Sequence, residues 1–396
     1  MARLSTLMLA LGLTGLMPGF ASAAPDAPHN VWSTQIGVPV YAPLRISQKH
    51  VYLTSVQAEG PNVFALDNRT GKILWRYATG GAITIPPTVG KTQIFVASDI
   101  GNTHFMRALN AKTGALVWQY TRNKPPECMC SHDSHVDAGL LFSQTDGHNL
   151  YAFAPIGNIP SQRIWQFKGD GAKLTPPVAS DGVVVFGSAD HDVYALDAKT
   201  GAVRWIAKTG YGFVAQPVIV DHIVVIGNRG GNIHAYDLKT GKPLWSFPTN
   251  GPIDTKAVAR GDTVYLASED RNIYALTTKS GKLLWQSVMA DYTNYAPVVT
   301  NSEVIAANRA GDLVAFDATS GKPLWRSPLA GTPFSAPEPW HHAIVLKVGD
   351  HMVAAFAESS GKTLWRYDSK AVLTLPVRGS TRIYVASSAG RVIALD

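Results

Sequence analysis

Short apolar stretches alternate with polar turns along the whole chain, and the segment from Val193 to Trp205 shows the pattern in full. Val193-Tyr-Ala-Leu196 is apolar enough to form a buried β-strand, and the following Asp197-Ala-Lys-Thr-Gly201 is typical of a tight turn. In such a turn the aspartate side chain accepts hydrogen bonds from backbone N–H groups, and the glycine adopts a positive φ at no steric cost. A second extended run then ends at Trp205. The pattern predicts a strand, a turn and another strand.

The same pattern recurs at a nearly constant interval. Each copy ends in a tryptophan, and these are Trp75, Trp118, Trp165, Trp205, Trp245, Trp285, Trp325 and Trp365. From Trp165 onward they stand 40 residues apart, after intervals of 43 and 47 residues. A fixed period of this length indicates a repeat architecture. We interpret the tryptophans as groups that pack one unit against the next, and not as ligand contacts.

Two further strands precede each copy. In the unit that ends at Trp205 they are Thr175-Pro-Pro-Val-Ala179 and Gly182-Val-Val-Val-Phe-Gly-Ser188. Each unit therefore has four antiparallel strands, and the sequence outside the N-terminus shows no helical periodicity. A four-stranded unit of about 40 residues predicts the blade of a β-propeller. Prolines in or beside the first strand agree, because the innermost strand of a blade is an edge strand.

The two ends of the chain hold complementary parts of one unit. Val31-Trp-Ser33 has the pattern of a last strand, and the segment 373–396 has the pattern of the three strands before it. We therefore expect the termini to share a closing blade, which removes the open edges of the array. The third strands number nine, with eight blades as the alternative. The predicted fold is all-β: a closed propeller of four-stranded antiparallel blades, forming a single domain over residues 31–396.

The N-terminus has the features of a secretory signal. Arg3 precedes an apolar run from Leu7 to Met17, and Ala21-Ser-Ala23 supplies the small residues of a cleavage site. We expect residues 1–23 to be removed, residues 24–30 to form a leader, and the product to reach the periplasm. The apolar run is too short for a transmembrane segment. No cysteine follows it, so no lipid anchor is expected.

Composition excludes several classes of function. Charged residues make up 16% of the chain and the net charge is +7, but lysine and arginine are scattered and form no basic block. Nucleic-acid binding is therefore not predicted. The sequence contains no nucleophile elbow, zinc-protease motif or phosphate-binding glycine loop. No catalytic residue is predicted.

One lengthened connection, between Trp118 and the third unit, departs from the repeat. It contains both cysteines of the chain and two histidines: Cys128, Cys130, His132 and His135. Three interpretations remain open. The cysteines form a disulfide, as suits an exported protein; the four side chains bind Cu(I) or Zn(II), for which thiolate and imidazole are suitable ligands; or the thiols are free. The blade topology places this connection near the mouth of the central channel.

The repeat Ala-x-Asp-x-x-Thr-Gly-x-x-x-Trp resembles the tryptophan-docking motif of PQQ-type β-propellers, over essentially the whole mature chain. One branch of that superfamily is the BamB-type proteins, which are non-catalytic periplasmic propellers that help to assemble outer-membrane β-barrels. This resemblance implies a scaffold with a periplasmic or outer-membrane protein partner. The chain departs from that branch in having no lipid-attachment cysteine, no Leu-x-Leu-Arg segment and nine units.

A second branch is the quinoprotein dehydrogenases, in which a Cys-Cys disulfide precedes an inner strand and lies against the quinone. Here Met129 separates Cys128 from Cys130, and His135-Val-Asp137 stands in place of the Asn-Arg-Gly of those enzymes. The Asp–Asn–Glu calcium set is also missing, so PQQ is not expected. The sequence thus predicts a non-catalytic, exported scaffold. The alternative is a redox, metal-handling or quinoprotein-dehydrogenase-like protein that uses the cysteine–histidine segment.

Overall fold

The computed structural model describes residues 27–123, 134–137, 139–144, 148–154 and 163–396. Within these ranges every regular element is a β-strand, and no helix is present. The strands form nine sheets of four antiparallel strands each. This confirms the all-β propeller and the count of nine blades, against the alternative of eight.

The first strand, β1 (Asn30–Gln35), belongs to the closing blade, and the next twelve strands form blades 1 to 3. Blade 1 contains β2 (Arg45–Ile46), β3 (His50–Thr54), β4 (Val63–Asp67) and β5 (Ile73–Tyr77). Blade 2 contains β6 (Thr88–Val89), β7 (Gln93–Ile100), β8 (Thr103–Asn110) and β9 (Leu116–Asn123). Blade 3 contains β10 (Ser134–Asp137), β11 (Leu140–Gln144), β12 (Asn149–Phe153) and β13 (Arg163–Lys168).

Blades 4 to 6 are the most regular. Blade 4 contains β14 (Val178–Ser180), β15 (Val183–Gly187), β16 (Asp192–Asp197) and β17 (Val203–Lys208). Blade 5 contains β18 (Val218–Val220), β19 (Ile223–Gly227), β20 (Asn232–Asp237) and β21 (Pro243–Pro248). Blade 6 contains β22 (Val258–Arg260), β23 (Thr263–Ala267), β24 (Asn272–Thr277) and β25 (Leu283–Val288).

Blades 7 to 9 complete the ring. Blade 7 contains β26 (Val298–Val299), β27 (Glu303–Ala307), β28 (Asp312–Asp317) and β29 (Pro323–Pro328). Blade 8 contains β30 (Glu338–Trp340), β31 (Ala343–Val348), β32 (Met352–Ala357) and β33 (Thr363–Asp368). Blade 9 contains β34 (Val377–Arg378), β35 (Ile383–Ala386), β36 (Arg391–Leu395) and β1.

The composite blade 9 closes the ring. Strand β1 pairs antiparallel with β36, with Trp32 opposite Ala394 and Gln35 opposite Arg391. The innermost strand of blade 9, β34, lies against the innermost strand of blade 1, β2. The two ends of the chain therefore hold the ring together through one sheet, as the sequence predicted.

Inner strands are shorter than the sequence pattern suggested. In blade 4 the expected first strand was 175–179, whereas β14 spans Val178–Ser180 and begins directly after Pro177. Proline has no backbone N–H to donate to the ladder, which limits how far pairing extends toward the N-terminal end of the strand. Thr175 still contributes, since its hydroxyl accepts a hydrogen bond from the backbone N–H of Gly187 at 2.9 Å.

The turn between third and fourth strands has the geometry that its sequence requires. In blade 5 one carboxylate oxygen of Asp237 accepts hydrogen bonds from the backbone N–H of Thr240 at 2.8 Å and from its hydroxyl at 2.6 Å. Gly241 follows with a φ of 70°. Hydrogen bonds to the carboxylate, the side-chain bond from Thr240 above all, lower the pKa of Asp237.

Each outer-strand tryptophan packs between its own blade and the following one. The indole nitrogen donates to a backbone carbonyl oxygen there in six cases: Trp32 to Asn68, Trp75 to Ala111, Trp165 to Ala198, Trp205 to Leu238, Trp245 to Thr278 and Trp285 to Ala318. The remaining rings also lie between blades. Trp118 stacks on Phe153 with ring centroids 5.8 Å apart, Trp325 lies against Gly361, and Trp365 packs in the core shared by blades 8 and 9.

Candidate functional site

The antiparallel topology sorts the connections onto two faces. The mouth face carries the hairpins between second and third strands and the links from each outer strand to the next inner strand. The turn face carries the turns between first and second strands and the Asp-x-x-Thr-Gly turns. Hairpins and links interlock on the mouth face: the backbone N–H of Phe213 donates to the carbonyl oxygen of Ser188, and that of Arg229 to Gly212, both at 3.0 Å.

Large apolar side chains are exposed around the mouth face. Their exposed fractions run from 37% for Leu375 to 55% for Tyr211, and the set is Tyr41, Ile100, Tyr211, Val214, Phe334 and Leu375. Tyr41, Val214 and Phe334 occupy the same position of their respective links, next to a buried residue. Aromatic side chains that are held open to solvent in this way are typical of protein-binding surfaces.

Tyr211 is held in place by a neighbouring glycine. Its ring lies directly over Gly230 in the hairpin of blade 5, so closely that a Cβ built on Gly230 would be 2.1 Å from a ring carbon of Tyr211. Any larger residue at position 230 would displace the ring. Gly230 therefore provides the space for one of the most exposed aromatic groups of this face.

Charged groups border the apolar set and connect neighbouring blades. The guanidinium group of Arg229 in blade 5 forms an ion pair with Asp254 in the next link at 2.9 Å. Arg309 in blade 7 lies over the ring of Tyr292, 5.0 Å from its centroid, and donates to the hydroxyl of that tyrosine. The mouth face therefore has an apolar set bordered by polar groups, as protein interfaces do.

Lys347 is a buried cation under this surface. It stands at the end of β31, at a repeat position that is glycine or alanine in most blades: Ala97, Gly187, Gly227, Ala267, Ala307 and Ala386. Its side chain is 7% exposed, its amine is 3.6 Å from a carboxylate oxygen of Asp350, and it lies 5.6 Å from the ring centroid of Phe334. Burial lowers the pKa of the Lys347 amine, and Asp350 opposes this effect.

Blade 2 projects further than its neighbours. Its second, third and fourth strands each span eight residues, where the corresponding strands of blades 1 and 3 span five or six. In this extension His104, which is fully buried, forms a hydrogen bond through Nδ1 to a carboxylate oxygen of Asp99 at 2.7 Å. The lengthened connection with the two cysteines leaves the blade from the end of β9.

The family model described as "Outer membrane protein assembly factor BamB" matches residues 23–159, 130–219, 158–295, 208–340 and 293–396. These matches span nearly the whole chain. The chain belongs to this family. The resemblance found in the tryptophan motif is thereby confirmed.

Solved structures agree on the fold. The crystal structure of BamB from Moraxella catarrhalis superposes with a TM-score of 0.58 at 20% identity, covering 94% of this chain and 98% of that one. The crystal structure of the computationally designed Ika8 protein superposes with a TM-score of 0.62 at 16% identity, covering 92% of this chain and 99% of that one. At these identities the two structures establish the fold alone.

A curated relative is similar over part of its length. Tetrathionate hydrolase of Acidithiobacillus ferrooxidans is 27% identical over 192 residues, which cover 41% of this chain and 36% of that protein. The chain thus spans about a third of that relative.

The predicted cysteine–histidine site lies largely outside the described residues. Cys128, Cys130 and His132 fall in the range 124–133, and of His135 the structure describes only the backbone, which pairs with Phe142 in blade 3. Among the described residues, no three histidine, cysteine, aspartate or glutamate side chains are grouped so that they could hold a metal ion. The described part of the chain also contains no helix able to cross a membrane.

Sequence reasoning did not identify the mouth-face residues. Tyr41, Val214 and Phe334 become visible only when the links are aligned with one another, and Lys347 only when the ends of the second strands are compared. A large residue among small ones at the same repeat position is the signal that would have found Lys347. The contact of Tyr211 with Gly230 has no such signal in the sequence.

Proposed function

We propose that this protein is an exported scaffold that binds an outer-membrane or periplasmic protein through its mouth face during envelope assembly, without a catalytic step. Membership of the BamB family supports the assembly role. The observation that carries the docking assignment is the set of exposed apolar side chains on the mouth face, with Tyr211 at 55% and Tyr41 at 52%. Signal cleavage after Ala23 would deliver the chain to the periplasm.

Two double variants distinguish specific docking at the mouth face from non-specific binding by exposed apolar side chains. The Tyr41→Ala/Phe334→Ala variant removes two aromatic groups from the mouth face. The matched control, Leu244→Ala/Leu284→Ala, removes two side chains of similar exposure, 42% and 48%, from the outer strands of blades 5 and 6. We expect affinity purification from the cell envelope to lose the partner with the first variant and to retain it with the control.

Export is tested separately. N-terminal sequencing of the protein purified from the periplasmic fraction is expected to begin at Ala24. Recovery in the cytoplasm with Met1 intact would contradict the localisation.

A second candidate function is metal or redox chemistry in the segment that contains Cys128, Cys130, His132 and His135. Its support is that blade 2 is extended where this segment leaves it, with the Asp99–His104 pair in the extension. Elemental analysis of protein purified from the periplasm tests it: a near-stoichiometric amount of copper or zinc that is lost in Cys128→Ser/Cys130→Ser supports metal binding. Intact mass after thiol alkylation distinguishes a disulfide from free thiols.

A further inference from the structure

A cleft of about 850 Å³ opens on the turn face between blades 1 and 2. Its walls come from three connections: the first turn of blade 1, the first turn of blade 2, and the turn between the third and fourth strands of blade 2. The lining residues on which the chemistry of the cleft depends are Lys49, His50, Tyr52, Lys91, Asn110 and Lys112. The cleft lies on the opposite side of the ring from the proposed protein-docking surface.

The lining of this cleft is cationic. Lys49, Lys91 and Lys112 contribute three ammonium groups, and neither aspartate nor glutamate lines the cleft. In the part of the chain that the structure describes, no ion pair neutralises any of these three lysines. The nearby carboxylate of Asp67 is engaged in its own turn, where it accepts hydrogen bonds from the backbone N–H and the hydroxyl of Thr70, both at 2.8 Å.

The same turns carry a carboxylate in blades 4 to 6. Lys91 stands at the repeat position of Asp181 in blade 4 and Asp221 in blade 5, and Lys49 at that of Asp262 in blade 6. Two of these carboxylates contact a basic side chain on the turn face: Asp181 lies 2.7 Å from His222, and Asp262 lies 3.9 Å from Lys279.

The turn that contains the third lysine, Lys112, also lacks a negative charge that other blades carry. Asn110 replaces the aspartate that opens this turn in blades 1, 4, 5 and 7. Its side-chain oxygen still accepts hydrogen bonds from the backbone N–H groups of Lys112 and Thr113, both at 3.0 Å. The turn is therefore preserved while its negative charge is absent. The fold of this turn therefore does not require the negative charge that the aspartate carries in the other blades.

The wall behind the lysines is fixed by hydrogen bonds. The hydroxyl of Tyr52 donates to the carbonyl oxygen of Ala111 at 3.1 Å and lies 3.0 Å from Nδ1 of His50. These contacts connect blade 1 to the turn of blade 2 across the floor of the cleft. The threonine hydroxyls of the lining add neutral donors beside the ammonium groups.

We propose that this cleft binds a multiply charged oxyanion of the phosphate class through Lys49, Lys91 and Lys112. Ammonium groups and hydroxyl donors are the groups that recognise phosphate oxygens, and an ion of two or more charges matches three cations better than a monoanion does. The phosphate group belongs either to a soluble phosphate compound or to a lipid headgroup. The assignment does not depend on protein docking at the mouth face.

Calorimetric titration of the mature protein with pyrophosphate, at low ionic strength to limit screening, tests the proposal. We expect binding that weakens about tenfold or more in Lys49→Gln/Lys91→Gln/Lys112→Gln, since each exposed ion pair contributes a factor of a few. The matched control is Lys199→Gln/Lys239→Gln/Lys279→Gln, which removes the same charge from blades 4 to 6 at the position of Lys112. The single variant Lys91→Asp, which installs the residue of blades 4 and 5, changes the charge of the cleft by two and should also weaken binding about tenfold.

Co-sedimentation with phosphatidylcholine vesicles, with and without phosphatidylglycerol, distinguishes the two sources. Sedimentation with the anionic vesicles that is reduced in Lys91→Asp assigns the cleft to a lipid headgroup. Pyrophosphate binding without sedimentation assigns it to a soluble compound. Absence of binding to both probes, or equal weakening in the control variant, would overturn the proposal.

Discussion

The indole ring of Trp205 occupies the space that a side chain at Gly241 would need. A Cβ built on Gly241 would lie 2.6 Å from two carbons of that ring, and the indole nitrogen of Trp205 donates to the carbonyl oxygen of Leu238 at 2.9 Å. Gly241 also has a φ of 70°. The glycine of the repeat is thus required twice, for the turn and for the contact between blades 4 and 5.

This double requirement predicts a large loss of stability in Gly241→Ala. Gly261→Ala is the matched control, because Gly261 has a φ of 53° but a Cβ added there would meet no heavy atom within 4 Å. We expect the control to cost about 1 kcal/mol from backbone strain alone. Gly241→Ala should cost about 3 kcal/mol, since the ring must also shift. Denaturant midpoints of the two variants measure the difference, and equal costs would contradict the contact.

Acidic pH should reduce the contribution that the turn of blade 4 makes to the stability of the protein. The hydrogen bond from Arg204, more than those from Thr200, lowers the pKa of Asp197 from 3.8 to about 2. A carboxylate whose pKa is depressed on folding stabilises the protein above its unfolded pKa, and this stabilisation is lost as the pH falls through the folded value.

The melting temperatures of the wild type and Asp197→Asn, measured as a function of pH, test this dependence. We expect the wild type to be the more stable above about pH 4 and the difference to disappear near about pH 2, the two limits set by the unfolded and folded pKa values. Arg204→Gln should shift the loss of this stabilisation to higher pH, because it removes the largest cause of the lowered pKa of Asp197. A difference that does not change with pH would show that the ionised carboxylate makes no contribution.

Lys347 should reduce stability at neutral pH. Its amine is buried and its pKa lies below the usual 10.5, so the folded protein releases this proton at a lower pH than the unfolded chain does. The stability of the wild type should therefore rise as the pH increases toward 10.5. Lys347→Met should be more stable by about 1 kcal/mol at neutral pH, since it removes a desolvated charge. Denaturant titrations at about pH 7 and above about pH 10 should show this gain shrinking at the higher pH, and a destabilised variant would contradict the account.

The ring could be predicted from the sequence because its determinants are local and repeated. Asp237, Gly241 and the tryptophans identify each blade, and Trp32 at one terminus identifies the closing blade. The length of β14 could not be predicted as well, because pairing beside Pro177 depends on which backbone groups face a partner strand.

The sites were harder to predict, since they depend on differences among the copies. Lys91 and Asn110 depart visibly from the repeat, but only the fold brings them to the same cleft. The exposure of Tyr211 depends on its packing over Gly230, which residue patterns do not indicate. The cysteine–histidine segment with Cys128 is the clearest departure in the sequence, and its role remains a prediction.

Site-specific photo-crosslinking in intact cells tests the central claim most directly. A photoreactive amino acid is placed at Tyr41 or Phe334 on the mouth face, and at Leu244 or Leu284 on the outer strands as controls. The account predicts crosslinks to an outer-membrane or periplasmic assembly protein from the first two positions and none from the controls. Crosslinks from the outer-strand positions with none from the mouth face would contradict it.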